Sequence, residues 1–308
     1  MTDRKPRLDA LAVILVLVCC VLWGVNQVVA KFALVEVPPL TQAALRSFGA
    51  ALLVMAWARW RGIALVSRDG TLAAGLLAGA LFAAEFACIF VGLQYTGASR
   101  MVVFIYLSPF VVALGMPFIA HTEKLAPLPF AGLVAAFGGV AWAFAEGFTQ
   151  PALGPRQWLG DALGVAAALL WGATTLAIRA TKLASAAPEK TLFYQLAVSG
   201  VLLGAGAALA GEPWPASLST PVALALGFQI VVITFASYLA WFWLVRHYPA
   251  TQLSSFTLLT PVAGLVAGAL WLAEPVTTRL LIALAAVALG IWLVNRPTPR
   301  GRRVVPRT

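Results

Sequence analysis

The segment Val21-Leu-Trp-Gly-Val-Asn-Gln-Val-Val-Ala-Lys-Phe32 is echoed by Leu169-Leu-Trp-Gly-Ala-Thr-Thr-Leu-Ala-Ile-Arg-Ala180 in the second half of the chain. Each copy contains Trp-Gly, and each has a basic residue seven positions after that glycine, Lys31 and Arg179. Further matches follow in the same order along both halves: Phe82–Tyr95 with Phe235–Tyr248, Ser108-Pro109 with Thr260-Pro261, and Glu123 with Glu274. Matches that recur in order predict an internal duplication.

The composition predicts a membrane protein. Hydrophobic residues make up 61% of the 308 residues and charged residues only 10%, whereas about a quarter of an ordinary soluble domain is charged. Apolar runs of about 20 residues, long enough to cross a bilayer as helices, follow one another almost without a break. We predict ten spans, at residues 10–32, 40–58, 71–93, 100–120, 127–146, 161–181, 190–210, 221–244, 251–272 and 277–295. The runs are continuously apolar, which favours helices over a barrel of alternating strands.

The duplication and the span count together predict an all-α membrane protein built from two inverted-topology repeats. Five spans in each half reverse the second copy across the membrane. The predicted division is residues 1–146 for the first repeat, 147–160 for a linker, 161–296 for the second repeat and 297–308 for a basic cytoplasmic tail. Swapping the conformations of two such halves would convert an outward-open cavity into an inward-open one.

The net charge of +10 is explained by topology and does not indicate nucleic-acid binding. With a cytoplasmic N-terminus, most of the 21 lysines and arginines fall on inner segments, as the positive-inside rule requires. Both termini are therefore predicted to be cytoplasmic. The first apolar run is longer than the core of a signal peptide and lacks an Ala-x-Ala site, so we expect the mature protein to retain it.

The repeated motifs resemble the EamA family of the drug/metabolite transporter superfamily. The residues that carry the resemblance are Trp23-Gly24-x-Asn26, Lys31, Arg46, Tyr95, Ala98, Pro109 and Glu123, with second-half echoes at Trp171-Gly172, Arg179, Tyr248, Pro261 and Glu274. Within the family, the chain looks similar to the YddG-type exporters of aromatic and other amino acids. The resemblance implies ten helices around a central cavity, lined by spans 1, 3, 4, 6, 8 and 9.

Two repeat-related tryptophans are the first candidates for the cavity wall. Trp23 lies about twelve residues from one membrane surface and Trp171 about ten from the other, which puts both near the midplane at 1.5 Å per residue. Transporter substrate sites lie at that depth, although helix packing beside the neighbouring glycines is an equal alternative. Asn26 and Gln27 place amides one turn further on, with Thr174 among their counterparts, either as a polar wall or as interhelical hydrogen bonds.

Glu85 is the one acid in the middle of a predicted span, and its repeat-related position is Tyr238. A carboxylate at this depth binds a substrate ammonium, relays a proton or forms a structural ion pair. Arg46 is the candidate charge partner by depth. Phe82, Tyr238 and Trp241 are the aromatic residues expected to line the cavity.

Pro109 and Pro261 are predicted mid-span kinks at related positions, either static or acting as hinges. The three cysteines fall inside spans without metal-ligand spacing, so neither a metal nor another cofactor is expected. Small-residue faces such as Gly75-x-x-x-Gly79 serve contacts within one chain or between chains, which leaves a monomer or a weak homo-oligomer.

The pattern as a whole predicts a secondary transporter in the bacterial inner membrane and not an enzyme. The sequence contains no P-loop and no hydrolase or metalloprotease motif, and its loops are too short to build an active site. The expected partners are the lipid bilayer and a small-molecule substrate, an amino acid, aromatic or otherwise bulky, that is exported. The alternatives are a permease for another metabolite class, such as a sugar, nucleoside or drug, and a non-transporting membrane adaptor.

Overall fold

The computed structural model describes residues 8–119, 127–149, 151–248, 253, 256–257 and 259–294. Throughout these ranges the regular structure is helical and no strand is found. The helices are α1 (Ala10–Ala33), α2 (Pro39–Trp60), α3 (Leu72–Gly92), α4 (Ala98–Ile105), α5 (Ser108–Ile119), α6 (Pro127–Thr149), α7 (Gln157–Arg179), α8 (Pro188–Leu209), α9 (Thr220–Gly227), a π-helical segment (Phe228–Ser237), α10 (Tyr238–His247), α11 (Leu259–Trp271) and α12 (Thr278–Val294), with a short 3₁₀ turn at Lys182–Ser185.

Eight helical stretches in the described ranges are long and apolar enough to cross a membrane. The α4–α5 stretch and the α9–α10 stretch each count as one of the eight, while α11 and α12 are shorter apolar helices. All ten predicted apolar segments therefore contain helix. Glu123, the first residues of the predicted ninth span and the basic tail after residue 296 lie outside the described residues.

Local chemistry fixes several helix starts. Proline occupies the first position of α2 and α8, where its missing N–H would have had no partner in the helix. The Asp9 side chain accepts a hydrogen bond from the Ala12 backbone N–H at 3.0 Å and caps α1. Glu212, far away in sequence, accepts from the backbone N–H of Thr41 at 2.8 Å, so the loop after α8 caps α2.

One of the long stretches is interrupted, next to a proline that the sequence singled out. The predicted fourth span breaks at Tyr106 and Leu107, which separates α4 from α5 directly before Pro109. Pro109 is thus the second residue of α5, a position where a helix tolerates proline. Pro261 is the third residue of α11, near the start of the helix as described and not at its middle.

The stretch from α9 to α10 is continuous but changes its hydrogen-bond pattern. Its ten central residues, Phe228–Ser237, form a π-helix. Such segments are uncommon and usually short, and they are frequent at functional sites. Nothing in the apolar pattern predicted this change.

Glycines allow the helices to approach closely. A Cβ on Gly24 would lie 2.6 Å from the backbone nitrogen of Gly264, so α1 and α11 cross there almost backbone to backbone. A Cβ on Gly75 would meet the Tyr194 ring at 2.5 Å, and one on Gly200 would meet Phe48 at 2.9 Å. The small-residue faces therefore serve packing inside this chain.

The helix pairs with the most extensive packing are α6 with α12, α3 with α7, α2 with α8, α1 with α11 and α3 with α8. One hydrophobic core joins α2, α3 and α8, and a second joins α4, α5, α6 and α12. Many large apolar side chains remain exposed on the outside of the bundle, including Leu52, Leu209 and Leu270. A contiguous apolar exterior of this kind suits a lipid environment.

Candidate functional site

Three aromatic side chains meet between α1 and α10, and we call them the aromatic cluster: Trp23, Tyr238 and Trp241. The Trp23 ring lies edge-on to both others, with centroids 6.3 Å from Tyr238 and 5.3 Å from Trp241. The Trp23 indole N–H donates to the Ser237 hydroxyl at 2.8 Å, which fixes the ring at the end of the π-helical segment. All three aromatic side chains are only partly buried.

A charged cluster lies next to the aromatic cluster, formed by Arg46 of α2 and Glu85 of α3. Arg46 is completely buried, and Glu85 is 4% exposed. The Arg46 guanidinium stacks on the Phe86 ring with its central carbon 3.7 Å from the ring centroid. Glu85 and Tyr238 both interact electrostatically with Arg46, and the Tyr238 hydroxyl approaches the guanidinium without the geometry of a full hydrogen bond, so Tyr238 belongs to both clusters.

Several polar atoms of the charged cluster have no hydrogen-bond partner among the described residues. All three guanidinium nitrogens of Arg46 are buried without a hydrogen-bond partner of acceptable geometry among the described residues, and so is Oε2 of Glu85. Stacking on an aromatic ring offsets part of the cost of burying a cation, but it leaves the N–H groups at the edge of the plane unused. Buried polar groups without partners are costly, which makes this cluster a candidate site.

Amides extend the polar region along α1. Asn26 is 6% exposed and its Oδ1 has no partner, and the Oε1 of Gln27 is likewise unpaired among the described residues. The Gln42 amide donates to the Ala30 carbonyl at 3.1 Å and to Oε1 of Gln229 at 3.3 Å, which joins α1, α2 and the π-helical segment. The amide groups of Asn26 and Gln27 retain acceptors without partners among the described residues, about one turn along α1 from Trp23 of the aromatic cluster.

The second Trp-Gly copy has a different environment. Trp171 makes an edge-on contact with Tyr106, with ring centroids 6.0 Å apart. Thr174 donates its hydroxyl to the Leu170 carbonyl of its own helix at 2.8 Å.

The structure thus brings together some predicted site residues and separates others. Trp23, Tyr238 and Trp241 form one group, and Arg46 and Glu85 interact electrostatically without forming an ion pair among the described residues. Phe82 is buried in the core of α3, where its ring contacts Phe86 at 4.6 Å. Phe82 thus packs against Phe86, the ring that contacts Arg46. Within the described residues, the Phe82 ring makes no ring contact with the aromatic cluster. Trp171 and Thr174 stand apart with Tyr106.

Two ion-pair networks join the helices at one end of the bundle, where α1 and α3 end and α4 and α7 begin; we call it the Lys31 end. In the first network, Glu274 accepts from the backbone N–H groups of Ala98 and Ser99 at 2.7 and 2.9 Å and from the Ser99 hydroxyl at 2.5 Å. Lys31 pairs with Glu274 at 3.2 Å and donates to the Thr96 carbonyl at 2.7 Å. The carboxylate also benefits from the positive N-terminal end of α4.

The protonation of Glu274 reflects this environment. Burial raises the pKa of the carboxyl, but Lys31, the Ser99 hydroxyl and the backbone N–H groups more than offset that effect. The net result is a pKa below its ordinary value, so Glu274 remains charged near neutral pH.

The second network is centred on Arg100. Its guanidinium binds Asp161 through two nitrogens, at 3.1 and 2.5 Å, and Glu146 at 2.7 Å. Asp161 also accepts from the Thr96 hydroxyl at 2.6 Å. Together the two networks tie α1, α4, α6, α7 and the segment between α11 and α12 at the Lys31 end.

Sequence reasoning singled out Lys31 and Glu274 only as family markers and missed the Arg100 network. The sequence did offer a basis for predicting this network, since Asp161 and Arg100 are oppositely charged residues at the ends of predicted spans. The Gln42–Gln229 contact and the π-helical segment had no comparable signal, because a single amide in a span fits many helix interfaces.

An open groove of about 680 Å³ lies between the start of α3 and the end of α7, lined by residues such as Ala73, Leu77 and Lys182. It contains none of the clustered residues above. Its open shape is that of a surface depression between two helices, so we place the candidate site at the aromatic and charged clusters.

Comparison with known proteins gives a consistent picture. The EamA-like transporter family matches the chain twice, over residues 10–145 and 158–296. The transporter YvbV of Bacillus subtilis, described as uncharacterized, is 28% identical over 283 residues, which cover 89% of this chain and 88% of YvbV. An uncharacterized transporter of Synechocystis sp. is 26% identical over 302 residues, covering 89% of this chain and 87% of its own length.

The fold is also found among solved structures. One crystal structure superposes with a TM-score of 0.64 over 92% of this chain and 96% of the other, at 20% sequence identity. A likeness at that identity concerns the fold alone.

Proposed function

Because the chain belongs to the EamA-like transporter family, we propose that it is a secondary transporter that exports amino acids, aromatic or otherwise bulky, by alternating access. The family and the relatives are transporters and not enzymes. The observation that carries the proposal is the set of buried polar groups without partners, Arg46, Glu85, Asn26 and Gln27, beside the aromatic cluster. A small molecule with both polar and aromatic parts complements this combination.

The proposed architecture is ten spans in two inverted repeats, residues 1–146 and 161–296, joined by the linker 147–160. The double match of one family to the two halves supports this division. The helix packing supports it as well, because α1 packs on α11 while the related α7 packs on α5, and two of the other extensive pairs, α2–α8 and α6–α12, join related helices. The pseudo-twofold axis would then pass between the halves, close to the candidate site.

The proposed orientation puts both termini in the cytoplasm of a bacterial cell, in the inner membrane. Glu274 and Arg100 then close the outer side of the bundle, since the Lys31 end is where α1 leaves the membrane. The tight contacts at that end support a conformation that is closed to the outside. Opening would require Lys31 to leave Glu274, and a proton or a cation could then compensate the carboxylate.

Pro109 and Pro261 are proposed as the places where the related helices bend between conformations. The turn at Tyr106 and Leu107 supports such a role for Pro109, because regular α-helical hydrogen bonding gives way there to i−3 bonds, from Leu107 to Phe104 and from Phe110 to Leu107. The N-terminal position of Pro261 in α11 resembles that of Pro109 in α5. We propose a monomer or weak homo-oligomer, since the glycine faces are already used within the chain.

Flux in proteoliposomes tests the proposed function. Purified protein is reconstituted and assayed with amino acids, sugars and nucleosides, each with and without an imposed proton gradient. Saturable flux of bulky amino acids is expected, and dependence on the gradient would separate a coupled exporter from a facilitator. Flux of sugars or nucleosides alone would make the chain a permease for another metabolite class, and no flux of any solute would favour a membrane adaptor.

A further inference from the structure

Arg46 is the polar side chain whose burial is hardest to explain by folding alone. It is completely buried, yet none of its guanidinium nitrogens has a hydrogen-bond partner of acceptable geometry among the described residues. The other buried arginine, Arg100, shows how this chain satisfies such a group, with Asp161, Glu146 and the Ala143 carbonyl around it. Removing an ion from water costs several kcal/mol unless a partner replaces the water.

The position of Arg46 within the repeat also argues against a role in folding. Arg46 is the eighth residue of α2, and the eighth residue of the related α8 is Gln195, which is neutral. Glu85 likewise corresponds to Tyr238 in the second half. The second repeat forms its five-helix unit without either charge, so the shared fold does not require them.

From these observations we propose that the Arg46 guanidinium binds the carboxylate of the transported molecule, while Glu85 faces its ammonium group. The inference rests on the proposed function and specifies the substrate class as zwitterionic α-amino acids with an apolar side chain. A guanidinium presents parallel N–H groups that match the two oxygens of a carboxylate. The Phe86 ring lies 3.7 Å from the central carbon of the guanidinium and covers it without using its N–H groups, which have no geometrically acceptable partner among the described residues.

The aromatic cluster completes the proposed site. Tyr238 lies within electrostatic reach of both Arg46 and Glu85 and also contacts Trp23. A substrate held between the two charges through its α-carbon would therefore extend its side chain toward Trp23 and Trp241. Aromatic surroundings at that position favour a bulky apolar side chain.

The alternative is an internal Arg46–Glu85 ion pair that forms by a change of side-chain conformation and never contacts substrate. The two readings differ in the selectivity they predict. An internal pair affects all substrates alike, whereas a carboxylate site distinguishes molecules with a carboxylate from those without one.

The test uses three related solutes in proteoliposomes: L-phenylalanine, L-phenylalaninamide, which lacks the carboxylate, and 3-phenylpropionate, which lacks the ammonium group. Arg46→Gln removes the positive charge but keeps a polar side chain. Glu85→Gln is the matched variant for the negative charge that would face the ammonium group. We expect Arg46→Gln to lower the preference for phenylalanine over its amide by roughly tenfold to a hundredfold, the range for a hydrogen bond to a charged group. Glu85→Gln should instead lower the preference for phenylalanine over 3-phenylpropionate.

Equal loss of flux for all three solutes in Arg46→Gln would overturn the proposal in favour of an internal pair. Thermal stabilisation of the detergent-solubilised protein by the same solutes provides a second measurement, because a ligand stabilises the state to which it binds. If the parent protein carries none of the solutes, the proposed function fails for this class. Stabilisation by phenylalanine that is lost in Arg46→Gln would still support the carboxylate site, and no stabilisation of the parent by either carboxylate would refute it.

Discussion

Gly24, the glycine of the first Trp-Gly copy, offers the sharpest test of the packing. In Gly24→Ala, the new Cβ would lie 2.6 Å from both the Gly264 nitrogen and the Thr260 carbonyl oxygen, and 2.8 Å from the Ala263 Cβ. Ordinary contacts of a Cβ begin at 3.4 Å, so α1 and α11 would have to separate by about 0.8 Å, the difference between 3.4 and 2.6 Å. Two of these three atoms belong to the backbone and cannot rotate away.

The free energies involved have opposite signs. Overpacking a helix interface costs about 1–3 kcal/mol, while replacing glycine by alanine in a helix gains about 0.5–1 kcal/mol. We therefore expect Gly24→Ala to be less stable than the parent, by up to about 2.5 kcal/mol. Gly138 provides the matched control, because it is also helical but a Cβ at this position would have no other atom within 4 Å. Gly138→Ala should therefore be neutral or stabilising.

Thermal unfolding of the two variants in the same detergent, followed by circular dichroism, measures the difference. We expect Gly24→Ala to melt below the parent and Gly138→Ala at or above it. If Gly24→Ala melted at the same temperature as Gly138→Ala, the close crossing of α1 and α11 would be wrong. A second substitution, Gly264→Ala, meets a Val102 side-chain carbon at 2.7 Å, and its cost should be smaller because that side chain can move.

Three further predictions concern single side chains. Glu274→Gln should lower the melting temperature, because the amide keeps an acceptor for Ser99 but loses the Lys31 ion pair; an unchanged melting temperature would show that the pair contributes nothing. The pKa of folded Glu274 lies below its ordinary value of 4.5, so the charged carboxylate stabilises the fold fully above pH 4.5, and this stabilisation is lost as the pH falls through the folded pKa. The melting temperature of the parent should therefore fall more than that of Glu274→Gln on acidification below about pH 4. Trp23→Phe removes the 2.8 Å hydrogen bond to Ser237 but keeps an aromatic ring, so it should cost about 0.5–1.5 kcal/mol in thermal stability, and Trp23→Ala more; equal effects of the two would contradict the contacts with Tyr238 and Trp241.

The helical class and the family followed directly from the sequence. Continuous apolar runs leave helices as the structure that satisfies the backbone in lipid, and the ordered echoes around Trp23-Gly24 and Trp171-Gly172 identified the EamA family, which the comparison confirmed. The YddG-type substrate class, the inverted topology and the roles of Pro109 and Pro261 remain predictions.

The candidate site was predictable only in part. Depth along the helix can be read from the sequence, because the rise per residue is constant, and it named Arg46 as the charge partner of Glu85, a pairing that stays a prediction. The grouping of Trp23 with Trp241, and its separation from Trp171, depends on helix rotation and crossing. Those are decided by glycine contacts such as that of Gly24 with Gly264, which involve residues far apart in the chain.

The π-helical segment has a consequence for how this chain can be altered. A π-helical turn holds more residues than the 3.6 of an α-helical turn, so each residue in Phe228–Ser237 turns through a smaller angle about the helix axis. The side chains of α10 therefore point in a different direction from the one that a continuous α-helix would give them. Deleting one residue there, which lets the segment revert to α-helical bonding, would change mainly the angle at which Tyr238 and Trp241 leave the helix, and only slightly its length. In this stretch, an insertion or deletion is equivalent to a rotation of everything that follows.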